Sequence, residues 1–146
     1  FGLAAFLAVI HDTLIVSGIF AILGAYAGVE IDTLFVTALL TTISFSVHDT
    51  VVIYDRIREL RQRFPQATLT QAAEAAVTAT FSRSLNNSLT VIFMLLTLLI
   101  LGGVTLKYFA LALLLGVIFG TYSSPFVSVP LLLLFEDLEN LKKKKK

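Results

Sequence analysis

Four apolar runs, each close to the length of a bilayer crossing, constrain this sequence more than any other feature. A spanning helix needs about 20 mostly apolar residues. The runs that meet this cover roughly residues 3–27, 33–54, 85–101 and 108–135. Composition points the same way: 57% of residues are hydrophobic and only 14% are charged, where a soluble domain carries roughly 25% charged residues. The expectation is an all-α fold, a polytopic transmembrane bundle of about four spanning helices in one domain, residues 1–146.

Charge then orients the spans. Every arginine of the chain lies in the connection formed by residues 55–84, and the remaining basic cluster is the lysine-rich tail, residues 136–146. The turn between the first two runs holds Gly28, Glu30 and Asp32 without a basic residue. The turn between the last two holds Gly102, Gly103 and Lys107. Lys and Arg collect on the cytoplasmic side of a membrane. The arginine-rich connection and the tail are therefore expected inside, with both ends of this chain cytoplasmic. The first residue is Phe1, already within an apolar run, so the sequence reads as the C-terminal part of something longer.

The inner connection has a helix of its own. Pro65 follows the arginines as a break, and Thr68 with Gln71 matches a capping box that opens an Ala-rich helix over residues 69–80. Its apolar face is thin, so it is expected on the membrane surface rather than across it. Gly24-x-x-x-Gly28 and Gly116-x-x-x-Gly120 are both compatible with close helix–helix approach. Pro125 and Pro130 are expected to kink the last span, with Ser123 and Ser124 compensating the freed carbonyls.

The informative residues are the ionisable ones at bilayer depth: His11, Asp12, His48 and Asp49, with Arg83 near a helix entrance. Asp49 lies seven residues before Arg56, roughly 10 Å along a helix rising 1.5 Å per residue. A charge at the bilayer centre costs about 2.5–3.5 kcal/mol on insertion scales, so such groups normally face a bundle interior and mark ion or proton paths. Thr42, Ser46, Asp49 and Arg56 recur at helical spacing, and so do Arg83, Asn87, Thr90, Met94 and Thr97. Packing these two stripes together would bring Asp49 toward Arg83 or Asn87. Low dielectric favours a protonated carboxyl and a nearby cation favours the ionised one, and that competition lets a carboxyl load and release protons.

Blander readings stand beside this one. Asp49 and Arg83 fit a static pair that fixes helix register, and His11–Asp12 fits a hydrogen-bonded pair lining the bundle. A metal site is disfavoured because adjacent His-Asp residues do not share a helix face and nothing resembles a metal-binding motif. The chain has no cysteine and a net charge of +1, which removes thiolate ligands and gives no basis for nucleic-acid binding. Neither a nucleophile–base pair nor a phosphate loop is recognisable, so no enzyme and no cofactor are expected.

The run Val47-His48-Asp49-Thr50-Val51-Val52-Ile53-Tyr54-Asp55-Arg56-Ile57-Arg58-Glu59 closely resembles the signature of the SecF family, membrane subunits of the prokaryotic SecDF protein-export complex. His11-Asp12 precedes it in the expected place. Phe81-Ser82-Arg83-Ser84-Leu85 follows, then Leu101-Gly102-Gly103 and Gly120-Thr121-Tyr122-Ser123-Ser124. The resemblance spans nearly the whole chain and favours SecF over the related SecD. It implies an RND-superfamily half-bundle in the prokaryotic cell membrane, of which the last four of six spans are present. It also implies use of the proton-motive force to help preproteins across, with SecD, the SecYEG translocon and, indirectly, SecA as partners. In that family the motif aspartate and the arginine opening the following span are implicated in proton conduction; here they are Asp49 and Arg83. The family often has Asn where this chain has His48, which adds a second titratable group beside Asp49. The alternative is an RND-type small-molecule or lipid exporter, against which the Arg56-Ile57-Arg58-Glu59 run argues.

The topology is directly testable in this cysteine-free chain. A cysteine replacing Gln62 should react with impermeant thiol reagents only from the cytoplasmic side, whereas one replacing Ile31 should react only from outside. Labelling of position 62 from outside alone would reverse the orientation.

Overall fold

The computed structural model describes residues 1–144, and the last two lysines of the basic tail lie outside the described residues. Within them the chain is helical almost throughout: α1 (Gly2–Ala27), α2 (Thr33–Arg63), α3 (Leu69–Leu101), α4 (Val104–Ser123), a π-helical segment (Ser124–Ser128) and α5 (Val129–Lys144). Four helical stretches are long and apolar enough to cross a membrane, the fourth being α4, the π segment and α5 in continuous series.

Local chemistry sets the boundaries. Gly28 ends α1 in the left-handed region at φ 65°, a conformation that suits glycine, and its amide donates to the Gly24 carbonyl. The Gly24/Gly28 pair thus forms a helix end rather than a helix–helix contact. Asp32 caps α2 by accepting from the Phe35 amide at 2.9 Å. Phe64, immediately before Pro65, closes α2, because the proline ring disfavours helical backbone in the preceding residue. Thr68 and Gln71 form the reciprocal capping box expected from the sequence.

Beyond that box the structure departs from expectation. The helix that opens at Leu69 does not stop near residue 80 but runs unbroken to Leu101. Residues 81–84 change hydropathy without containing glycine or proline, and a polar patch alone does not interrupt i→i−4 hydrogen bonding. The first two turns of α3 are packed into the bundle. Leu69, Ala72, Ala73 and Ala76 are buried against Ile53, Tyr54 and Ile57 of α2, with Ala4, Val129 and Leu132 completing the cluster. α2 likewise continues nine residues past the apolar run, so α2 and α3 form a long antiparallel hairpin. Its α2 arm carries the Arg56–Glu59 and Asp55–Arg58 pairs on its exposed side.

α4 is central and packs on α1, α2 and α3. Its closest approach is to α2. A Cβ added at Gly116 would collide with the Thr42 side chain, and one at Gly120 would lie 3.2 Å from the Ser46 Cβ. The Gly116/Gly120 pair is therefore a true small-residue crossing. Two apolar clusters flank a polar layer. One is the Ala/Ile cluster at the arginine end; the other, at the far end, joins Val16, Phe20, Val29, Phe35, Ala38 and Ala112. Between them lie Asp12, Ser46, Thr50, Ser123, Ser124 and Ser128, all buried.

Gly116→Ala should force α2 and α4 apart and destabilise the fold by about 1–3 kcal/mol, the usual cost of overpacking. Pairing it with Thr42→Gly, which also removes the Thr42 Cβ that the new methyl would meet, should recover part of the loss in a detergent-unfolding assay. Wild-type stability for the single variant would place the crossing elsewhere.

Candidate functional site

The intramembrane ionisable residues divide between two sites. α2 directs Asp49 toward α3. There the Ser84 hydroxyl donates to both oxygens of the Asp49 carboxylate, at 2.6 and 2.7 Å. Asp49 and Ser84 are half-buried. They line a cavity of about 270 Å³ with His48, Val52, Ile53, Thr80, Arg83 and Asn87. A second cavity, about 400 Å³, is lined by Asp55, Arg56, Glu59 and Ala79 and shares Val52, Thr80 and Arg83 with the first. The two cavities therefore adjoin beside Arg83, between the Asp49 carboxylate and the charged end of the α2–α3 hairpin.

Asp49, Arg83, His48 and Asn87, all singled out from sequence, are thus brought to one place. Their arrangement is looser than a static register pair would be. Among the described residues Arg83 forms no ion pair with Asp49, whose hydrogen bonds come from Ser84 instead. The α3 stripe also differs from expectation: Arg83, Asn87, Thr90, Met94 and Thr97 are all exposed on this chain rather than turned into its interior. The sequence identified a helix face correctly but not what that face meets.

Asp12 lies elsewhere. It is 6% exposed and sits where α1, α2 and α4 converge. Its Oδ2 accepts from Ser46 and Ser123, each at 2.6 Å, and its Oδ1 lies 3.1 Å from His11 Nδ1. His11 is half-buried. The hydroxyl contacts continue toward the arginine end: Thr50 Oγ1 lies 3.0 Å from Ser124 Oγ, and Tyr54 donates to the Ser128 carbonyl at 2.8 Å. Ser128 in turn donates to the Ser124 carbonyl. These contacts bind α2 to the π-helical segment, which begins beside Pro125, a residue with no backbone N–H to donate. Thr42 and Ser46 belong to this junction and not to the Asp49 cavity, so the expected stripe on α2 splits between two neighbours.

One important residue was not picked out from sequence, and another was expected in a different role. Ser84 was hidden beside the more conspicuous Arg83, although Ser84 and Ser88 recur at helical spacing on the side of α3 turned toward its neighbours. Ser123 was expected to compensate carbonyls freed by proline, and its bond to the Asp12 carboxylate was not anticipated.

Four membrane-length helices with a buried polar layer and an intramembrane carboxylate cavity define a multi-pass membrane protein. Over residues 1–138 the chain matches the family described as protein export membrane protein SecD/SecF, C-terminal, and it belongs to that family. It is 52% identical over 142 residues to protein translocase subunit SecF of Thermobaculum terrenum, covering 97% of this chain and 45% of the relative. To the SecF subunit of a Synechocystis strain it is 48% identical, covering 87% and 40%. The crystal structure of SecDF in a super-membrane-facing form superposes with a TM-score of 0.90 at 35% identity, over 99% of this chain and 19% of that one. That of SecDF from Thermus thermophilus, described as a translocon-associated membrane protein, gives 0.87 at 37% identity, over 94% and 18%. The chain thus spans less than half the length of these relatives.

Removing the Asp12 carboxylate leaves the buried Ser46 hydroxyl without an acceptor, at about 1–3 kcal/mol for one unsatisfied group, while Ser123 keeps the Gly120 carbonyl at 3.3 Å. Asp12→Ala should lower stability in that range, and Asp12→Asn, which keeps one acceptor oxygen, should cost less. Unfolding of the purified protein followed by circular dichroism measures both; equal stability for wild type and Asp12→Ala would remove the junction from the account.

Proposed function

We propose that this chain is the membrane half of a SecF subunit that couples proton movement to preprotein export, with Asp49 as its proton-carrying group. The carrying observation is the placement of Asp49: a carboxylate within a membrane-length helix, in a cavity lined also by His48, Arg83 and Asn87 and adjoining one at the charged hairpin end. Membrane burial of a carboxylate is costly, and a neutral residue would fill a purely structural role at lower cost. Arg83 supplies positive charge near the ionised carboxylate, and Asn87 and His48 supply further polar wall.

The arginine-bearing hairpin end is assigned to the cytoplasm, because basic residues gather there. The exposed polar face of α3 is assigned to a covered surface, since Arg83 and Asn87, whose side chains have no hydrogen bond among the described residues, would lack partners if they faced lipid. A related half-bundle of SecD is the occupant we favour. SecYEG, and SecA indirectly, follow as partners from the SecF family. The names of the relatives favour this reading over a small-molecule or lipid exporter.

The Asp49→Asn variant keeps side-chain shape but cannot titrate. In vesicles containing the full-length subunit and SecD, it should abolish the part of preprotein translocation that depends on the proton-motive force, while assembly stays intact. Asp49→Glu should retain part of the activity, and Arg83→Lys should lose most of it, because the more strongly hydrated ammonium is costlier to hold at bilayer depth. His48→Asn should be tolerated. Normal proton-motive stimulation by Asp49→Asn would make this residue a packing group and defeat the proposal.

A further inference from the structure

The partner of the Asp49 carboxylate is a hydroxyl, and that choice has a chemical consequence. A guanidinium offers only donors, so a close bidentate pair with Arg83 would fit only the ionised state of Asp49. A serine hydroxyl both donates and accepts. With Oγ at 2.6 and 2.7 Å from the two carboxylate oxygens, Ser84 sits astride the group that would change charge.

We infer that Ser84 is the positioning residue of Asp49, donating to its carboxylate when ionised and turning to accept from it when protonated. The inference rests on the proton-pathway reading above. On protonation the incoming proton bonds to one carboxylate oxygen, and the Ser84 O–H rotates away so that Oγ receives the new acid hydrogen. On release the rotation reverses. Ser84 keeps its own proton throughout, so the step transfers one proton on and off Asp49 and nothing else. Neither state then leaves the half-buried carboxyl without a hydrogen bond, a loss that would favour one state over the other.

Helix geometry supports this division of labour. Ser84 follows Arg83 by one residue, about 100° around α3, so Ser84 meets α2 while Arg83 lines the cavity wall. The charged and titratable groups near Asp49 are few. His48 lies beside it on α2 and Arg83 on α3, with Asp55, Arg56 and Glu59 in the adjoining cavity. α4 contributes none here, its one charged residue being Lys107 at the opposite end. None of these has a hydrogen bond to Asp49 among the described residues, which leaves Ser84 as the group that sets the carboxyl's orientation.

The test uses the full-length subunit assembled with SecD in vesicles and two readouts. The first is the infrared C=O stretch of protonated Asp49, identified by its absence in Asp49→Asn. In Ser84→Ala it should move to higher wavenumber, as for a carboxylic acid that has lost a hydrogen bond, and in Ser84→Thr it should stay near its wild-type position. The second is proton-motive-dependent export, which should fall about tenfold in Ser84→Ala, in keeping with loss of a hydrogen bond to a charged group, and recover in Ser84→Thr. An unmoved band in Ser84→Ala overturns the assignment, and so does a shifted band accompanied by undiminished export. The band reads the hydrogen bond whether or not export depends on Asp49. Full export by Asp49→Asn would therefore defeat the proton-pathway reading separately, and with it the switching role, while the band still reports the bond itself.

Discussion

The close crossing of α2 and α4 is the contact on which the other features depend. Gly116 and Gly120 leave room for Thr42 and Ser46 to lie against the backbone of α4. In a bilayer, apolar side chains gain little by leaving lipid for protein, so close packing and hydrogen bonds between helices carry association. Backbone proximity brings Ser46 and Ser123 within reach of one carboxylate oxygen, and it brings Thr50 and Tyr54 to the π-helical segment. A larger residue at either glycine would separate the groups that hold the polar layer together.

That layer and the cavity beside it give the two aspartates different surroundings. Asp12 is enclosed by donors from α2 and α4 and flanked by His11, and among the described residues no buried side-chain polar atom lacks a hydrogen-bond partner. Such a node favours a single arrangement, since displacing any helix costs hydrogen bonds that lipid cannot replace. Asp49, by contrast, has one hydroxyl partner and a cavity beside it. The difference follows from which neighbour each helix faces and cannot be found in the residue type. A group that must exchange protons requires such space, and a group that fixes helix positions requires its absence.

Much of this was legible in sequence, for identifiable reasons. Hydropathy located all four spans because burying a backbone in lipid demands long apolar helices. The capping box at Thr68 and the break before Pro65 were legible because both act within a few residues. The end of the Ala-rich helix was not, because a polar stretch resembles a terminus in hydropathy while leaving helical hydrogen bonding intact. Asp49, Arg83 and Asn87 were found together by spacing. The partition of Thr42 and Ser46 away from them was not, because facing directions less than one turn apart around α2 meet different helices. Ser84 escaped notice since a serine in a spanning helix usually bonds its own backbone, and nothing local marks the one that reaches across.

The central claim is that Asp49 is an accessible, protonatable carboxyl whereas Asp12 is sealed, and unmodified protein suffices to test it. Dicyclohexylcarbodiimide, a hydrophobic reagent, attacks protonated carboxyl groups within membranes. After treatment of membranes containing the full-length protein, peptide mass spectrometry should find the adduct on Asp49 and leave Asp12 unmodified. Modification of Asp12 with Asp49 spared would contradict the division of roles between the two carboxylates.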